Sequence, residues 1–316
     1  MRPVVTVLMA VFDTPRVMLG QAVDSILQQT YRDFEFLILD DGSSDLETRA
    51  FLRCLSDSRV RVLWEPHRGL TATLNRGIER AEGRLIARQD ADDWSDPARL
   101  ARQVPVLERH REIALCGTDA WTHQSDGRPL WPTHLPREPA EVRRAFRGGN
   151  PFIHGSVLFR RAEALAAGGY REEFHCSQDY DFFWRMADRW SAVNLPVPLY
   201  HYRYNGGAVS AQRALEQAAA HLAAGQLANA RKHGRPECVE MALSEARREV
   251  AAGRGRFRAE LKQADHRLLA GDYREAGRAY ERLLRSHPLS PLAWGKLARW
   301  GLFRAFPPAR EAAFRW

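Results

Sequence analysis

From Val4 to Val11 only Thr6 is polar, and most residues are β-branched, the pattern of a strand covered on both faces. Pro15–Gln29 then places Val17, Leu19, Val23, Ile26 and Leu27 at helical spacing. Phe34–Leu39 is a second apolar run, closed by Asp40-Asp41-Gly42-Ser43-Ser44, and Glu47–Leu55 is again helical. Val60–Trp64, Leu70–Ala81 and Gly83–Arg88 continue as strand, helix and strand. Strands alternating with helices predict right-handed β-α-β units and a largely parallel sheet. After Pro97 the pattern loosens: Pro151–Arg160 reads as a strand, Gln178–Arg189 as a helix and Leu195–Tyr202 as a closing strand. From about Ala211 the chain is rich in Ala, Arg and Glu with helical periodicity. The expected organisation is an α/β domain over 1–210 and a helical extension over 211–316.

The formal net charge of the 316 residues is +8, which invites a nucleic-acid reading, but its distribution excludes one. Residues 1–210 hold 27 Arg and no Lys against 28 acidic residues, and residues 211–316 hold 20 basic against 11 acidic, so the basic excess lies in the tail. Cys54, Cys116, Cys176 and Cys238 lack zinc-type spacing and read as reduced thiols in a cytosol. No apolar run approaches the length of a membrane span, and the apolar start reads as a buried strand rather than a leader, because Asp13 ends it without a small-residue cleavage pattern. A cytoplasmic protein is expected.

In open α/β sheets ligands sit beyond the carboxyl ends of the strands. Three polar clusters fall there: Phe12-Asp13, Asp40-Asp41 and Asp90-Ala91-Asp92-Asp93. Three carboxylates within four residues repel one another, and a divalent cation relieves this. Oxygen ligands on a loop suit Mg²⁺ or Mn²⁺, which also take substrate phosphates. The same string also reads as a solvated acidic turn, with Asp93 or Ser95 capping the next helix. Asp40 can accept from a base or ribose donor, while Ser43 or Ser44 caps the helix that follows. Asp179, in Ser177-Gln178-Asp179-Tyr180-Asp181, reads either as a cap or as a general base toward a hydroxyl, with Phe182, Phe183 and Trp184 packing the helix or stacking on sugar rings.

Over roughly residues 3–210 the chain resembles the family-2 glycosyltransferases of the GT-A fold, a Rossmann-like nucleotide-diphospho-sugar transferase architecture. The segments that carry the resemblance occur in order: Val5–Phe12, Ser25–Ser44, Arg68–Ile78, Gly83–Asp93, Pro97–Leu100, His154–Arg160, Gly168–Tyr170 and Gln178–Asp181. The resemblance implies donor binding by Ala10, Val11, Phe12, Asp40, Asp90 and Asp92. Asp40 would meet the uracil or equivalent base, Asp90 the ribose, and Asp92 the metal bridging the diphosphate. Asp179 would be the catalytic base of an inverting displacement, with His154 and Trp184 on the acceptor side. The family's Glu-Asp pair is here Gln178-Asp179, and Asn205 stands where many members carry His. The Gln-x-x-Arg-Trp signature of processive synthases is missing, which favours single addition. The expectation is a metal-dependent transferase that uses a nucleotide sugar, UDP-linked by preference, and a glycan or lipid-linked acceptor in cell-surface glycan synthesis. The rival readings are a sugar nucleotidyltransferase and a non-catalytic scaffold. The first should carry a Gly-rich basic loop that Ala10–Arg16 lacks, and the intact Asp90, Asp92 and Asp179 speak against the second.

Leu268–Pro288 resembles one tetratricopeptide-type helical hairpin. The last stretch carries Trp294, Trp300, Phe303, Phe306, Phe314 and Trp316, with five basic residues against one Glu from Lys296 onward. Aromatic and basic residues together suit an anionic membrane surface, so peripheral contact through 293–316 is expected, the alternative being docking onto the protein itself.

Overall fold

The computed structural model describes residues 2–205 and 213–305. The expected 210/211 junction, and Phe306, Phe314 and Trp316, lie outside the described residues. The chain forms two compact units, Met1–Trp121 with Pro132–Tyr202, and Thr122–Trp131 with Arg203–Trp316.

In the first unit β1 (Val5–Val11), α1 (Arg16–Leu27), β2 (Phe34–Asp41), α2 (Leu46–Arg53), β3 (Val60–Glu65), α3 (Leu70–Arg80) and β4 (Leu85–Gln89) follow the predicted alternation. β1 pairs in parallel with β2 and β4, and β2 with β3, in a register that sets Val11 opposite Asp40 and Asp40 opposite Trp64. Then come β5 (Trp94–Ser95), α4 (Arg99–Arg109) and β6 (Ile113–His123), which pairs with β7 (Pro129–Pro132). α5 (Pro139–Ala145), β8 (Leu158–Arg160), α6 (Arg161–Ala166), α7 (Gln178–Arg189) and β9 (Ser191–Arg203) complete the series. The strand order is β3-β2-β1-β4-β8-β6-β9-β5. β8 runs antiparallel to β4 and β6, and β5 antiparallel to β9.

The strand read over 151–160 shrinks to Leu158–Arg160, because His154–Ser156 coils into a 3₁₀ turn whose Ser156 amide and hydroxyl both donate to the Ile153 carbonyl. The eleven-residue β6 has no counterpart in the periodicity reading. Gly117-Thr118-Asp119 interrupts its apolar run, yet Asp119 is buried and satisfied by the Leu135 amide at 2.8 Å.

The core between β1, β2 and α1 is made by Val5, Val7, Met9, Val11, Phe36 and Ile38 against Leu19, Val23 and Ile26, all essentially inaccessible. On the other face of β1, α3 lies so close that a Cβ on Gly77 would run into the Leu8 side chain. Gly83 marks an approach to backbone rather than to a side chain, where a Cβ would lie 2.6 Å from the Val5 carbonyl carbon and closer still to the Thr6 nitrogen.

In the second unit a hairpin turns at Asp126-Gly127, where Gly127 has φ 86° and the Gln124 amide donates to the Arg128 carbonyl. The helices are α8 (Ala214–Lys232), α9 (Val239–Ala251), α10 (Arg256–Leu269), α11 (Tyr273–Ser286) and α12 (Pro291–Ala305). Trp131 of the hairpin shares one core with Leu261, Ala264, Leu268, Ala276, Tyr280 and Leu283. α12 is seated by Trp300, whose indole donates to the Tyr273 carbonyl at 2.6 Å, and by Lys296, paired with Asp265 at 2.7 Å. Leu289, Leu292, Trp294 and Leu302 remain exposed. Among the described residues no helix is long and apolar enough to cross a membrane.

Gly83→Ala is expected to destabilise the first unit by about 1–3 kcal/mol, since strand backbone rather than a movable side chain must give way; urea unfolding of the variant measures it as a lower midpoint.

Candidate functional site

Asp13 ties the loops after β1 and β2 together. It adopts a left-handed conformation with φ 44°, and its carboxylate accepts the Ser44 amide (2.7 Å), the Asp45 amide (2.8 Å) and the Ser44 hydroxyl (2.8 Å). The Asp45 amide foremost, with Ser44, holds the Asp13 carboxyl below its usual range. Ser44 serves Asp13, and Ser43 accepts the Asp13 amide at 3.0 Å. The cap of α2 is therefore Asp45, which accepts the Thr48 amide at 2.7 Å, and not Ser43 or Ser44.

Ala10 and Val11 end β1 beside this tie, and Phe12 is half exposed with its ring 4.2 Å from that of His67. Asp40 is buried at the end of β2. Its Oδ2 accepts the Ser43 amide at 3.2 Å, while Oδ1 has no hydrogen-bond partner, an acceptor withdrawn from water and left open. Asp41 differs: it receives the Arg68 and Gly69 amides (both 2.9 Å) and the Thr73 hydroxyl (2.7 Å), and so fixes the start of α3.

Beyond β4, Asp90 Oδ1 pairs with the Arg88 guanidinium at 2.6 Å. Arg88 is buried and also donates to the Gln89 carbonyl. Burial pulls its basicity down, but Asp90, Tyr170 and Tyr200 outweigh this and hold it above the usual value. The buried Tyr200 hydroxyl accepts the Asp90 amide at 3.2 Å and donates to Asp93 Oδ2 at 3.0 Å. Asp93 is thereby structural, and the backbone leading into α4 is fixed at Asp96, which accepts the Ala98 amide at 2.8 Å. A Cβ on Gly155 would lie 2.7 Å from Asp90 Oδ2 and closer still to the Tyr200 hydroxyl, so glycine is needed where the 3₁₀ turn passes this pair. Asp92 is partly exposed. Among the described residues no three His, Cys, Asp or Glu side chains form a ready metal cage. The partly exposed Asp92 carboxylate is a hard oxygen donor of the type that Mg²⁺ or Mn²⁺ takes alongside phosphate and water.

The opposite wall is built from α7 and the turn before β8. Ser177 occupies the cap position of α7 in a left-handed conformation (φ 56°) and makes no side-chain cap bond. Asp179 is not a cap either; its Oδ2 accepts the Asn150 side-chain amide at 2.7 Å. His154 is half buried, with Nε2 2.9 Å from the Tyr170 hydroxyl and its ring against Phe183. Burial, then Arg88, pushes the His154 imidazole down to about 4, so it is neutral at ordinary pH. Trp184 stacks on Phe146 at 5.5 Å and lies tilted against Tyr180 at 5.2 Å. The sequence gives no role to Asn150, Tyr170, Tyr200 or Arg88, although Tyr170 and Arg88 lie in segments that carry the family resemblance. Only Arg88 carried a signal there, as a lone cation in an apolar strand immediately before three carboxylates.

Because the folded state holds His154 below its ordinary value of 6.5, the unfolded chain binds more protons between pH 6.5 and about 4. The stability it contributes is present above pH 6.5 and is lost as the pH falls through that window. In His154→Gln, urea midpoints should decline less steeply across it than in the parent protein.

Residues 6–168 match the model of the family described as Glycosyl transferase family 2. The amylovoran biosynthesis glycosyltransferase AmsE of Erwinia amylovora is 30% identical over 198 residues, covering 62% of this chain and 74% of the relative. The O-antigen biosynthesis glycosyltransferase WbnJ of Escherichia coli is 29% identical over 189 residues, covering 58% and 72%. Among solved structures, the mannosyltransferase PcManGT of Pyrobaculum calidifontis, in complex with GDP-Man and Mn²⁺, superposes with a TM-score of 0.55 at 16% identity, over 98% of this chain and 82% of that one. S. aureus TarS 1–349 in complex with UDP-GlcNAc gives 0.58 at 16% identity, over 95% and 91%. A continuous sequence match across the strand ends that carry Asp40, Asp90 and Asp92, together with the shared architecture, bears out the expected family and fold: the chain belongs to the family-2 glycosyltransferases and has the GT-A fold, with a helical C-terminal extension.

Proposed function

We propose that this glycosyltransferase transfers a sugar from a nucleoside-diphosphate donor to a hydroxyl acceptor with inversion, one residue at a time, in the synthesis of a cell-surface polysaccharide. The observation that carries the reading is the buried, unpartnered Oδ1 of Asp40 at the strand-end rim that also carries Asp90 and Asp92, with His154 close enough to feel both Asp90 and Asp179. An acceptor-only carboxylate suits the N–H of a uracil ring, and Phe12 beside it offers a face for the base. Ala10 and Val11 supply backbone to the nucleoside, Asp90 faces the ribose, and Asp92 holds the cation.

A bound Mg²⁺ or Mn²⁺ supplies positive charge against the leaving diphosphate. The remaining chemistry belongs to the chain. Asp179 accepts the proton of the acceptor hydroxyl as its oxygen bonds to the anomeric carbon, the bond to the diphosphate breaks, and the electron pair leaves with the diphosphate. One base and no enzyme nucleophile give inversion in a single displacement. His154, neutral and bonded to Tyr170, borders the acceptor, and Phe183 packs behind it. Trp184 is proposed to border the acceptor farther out, where its ring edge adjoins the Phe146 stack. The names of AmsE and WbnJ support a glycan or lipid-linked acceptor. The domain division is proposed to follow function, with 1–210 catalytic and 211–316 accessory. The exposed Leu289, Leu292, Trp294 and Leu302, with Arg304, Arg310 and Arg315 in the sequence of 293–316, support contact with the cytoplasmic face of a membrane.

Asp179→Asn is expected to lower turnover at least about 10²-fold with nucleotide affinity retained, and Asp92→Ala to lose the metal-dependent part of UDP binding. Product assays and calorimetry with and without chelator check both; normal turnover in the first variant or chelator-independent affinity in the parent would sink the respective assignment. The protein should float with liposomes containing anionic lipid and lose this on truncation after residue 290; equal flotation of both forms would dispose of membrane contact through this segment.

A further inference from the structure

We infer that Asn150 is a positioning residue for the transfer reaction, holding the Asp179 carboxylate in the one orientation that leaves Oδ1 to receive the acceptor's proton. The inference rests on the reading of Asp179 as the base.

Both ends of the Asn150 amide are committed. Nδ2 donates to Asp179 Oδ2 at 2.7 Å, and Oδ1 accepts the Phe152 amide at 3.1 Å. A flipped amide would set Nδ2 against the Phe152 N–H and Oδ1 against the carboxylate, two repulsive pairings, so the donor end faces Asp179 by necessity. The loop is itself anchored, since Phe152 is buried and packs edge-on against Phe183 at 5.7 Å and near Phe146 at 6.1 Å. The chain of constraint thus runs from an aromatic core, through one backbone amide, to the carboxylate of α7. A carboxylate with one oxygen bonded this way cannot spin about its last torsion without breaking a charge-assisted hydrogen bond. His154 and Tyr170 both interact electrostatically with Asp179 and both are neutral at ordinary pH, while the Asn150 side chain donates to its Oδ2.

Asn150→Asp separates this role from loop structure. An aspartate keeps an oxygen for the Phe152 amide, loses the donor toward Asp179 and sets a second charge beside it. The full-length variant is expected to unfold at nearly the parent temperature and to keep the donor KM within about twofold, while kcat falls about 10- to 100-fold. The acid limb of its kcat/KM profile should move to higher pH, because an ionised base beside another carboxylate is disfavoured. Asn150→Ala, which adds no charge, should show the fall in kcat with a smaller displacement of the limb. Parent-like kcat and pH profile in Asn150→Asp, with Asp179→Asn inactive, would overturn the positioning role alone. Transfer that survives Asp179→Asn would overturn the base reading and this inference with it.

Discussion

Crowding of like charge at the end of β4 is the constraint around which the catalytic unit is arranged. Asp90, Asp92 and Asp93 fall within four residues, and two carboxylates about 4 Å apart repel by about 4 kcal/mol at an effective dielectric near 20. The protein answers from below, with the buried Arg88 against Asp90, and from the side, with the Tyr200 hydroxyl against Asp93. A desolvated guanidinium is tolerable only while its partner remains, so Arg88 and Asp90 stand or fall together. A second buried arginine, Arg99, adds hydrogen bonds to the Arg88 and Val157 carbonyls, to Ser95 and to the Gln89 and Gln103 side chains. Burial lowers it to about 10, still charged at ordinary pH. It clamps the end of β4 to the segment entering β8, and with that fixes the Gly155 turn against Asp90.

The two walls of the site are made differently. The proposed donor wall follows from parallel register: Val11 opposite Asp40 and Asp40 opposite Trp64 bring separate strand ends to one rim. The proposed acceptor wall comes from loops and a helix start, with His154 on a 3₁₀ turn, Asn150 on the loop before it and Asp179 in the first turn of α7. Loops tolerate change better than sheet register. Such a division suits a fold that keeps its nucleotide chemistry while acceptors vary.

The same difference explains what could be read from the chain. β1 to β4 and their helices were visible because each buries a continuous apolar face, and a strand's end is where polar residues resume. β6 was hidden because its polar middle is paired to groups such as the Leu135 amide, distant in sequence and invisible to a periodicity argument. The helix expected after the acidic cluster is α4, which has Ala98 rather than Asp93 or Ser95 at its cap position and runs through an internal Pro105. Ser43 and Ser44 looked like caps because the competing claim of Asp13, thirty residues away, has no local signature. Asp40, Asp90 and Asp179 stand out in the sequence as candidates, whereas the bonds they make to Ser43, Arg88 and Asn150 are evident only from geometry.

The short hairpin Thr122–Trp131 has a consequence for the birth of the protein. Its Trp131 belongs to the core of Leu261, Leu268 and Tyr280, which the ribosome makes more than a hundred residues later. The nascent chain must carry an uncovered indole while the rest of its first unit is synthesised, and an open apolar face of this kind attracts chaperones or other copies. The compact units are therefore not two consecutive stretches of chain, since Thr122–Trp131 groups with Arg203 onward. A chain cut near residue 210 would retain the hairpin but lack the helices that bury it.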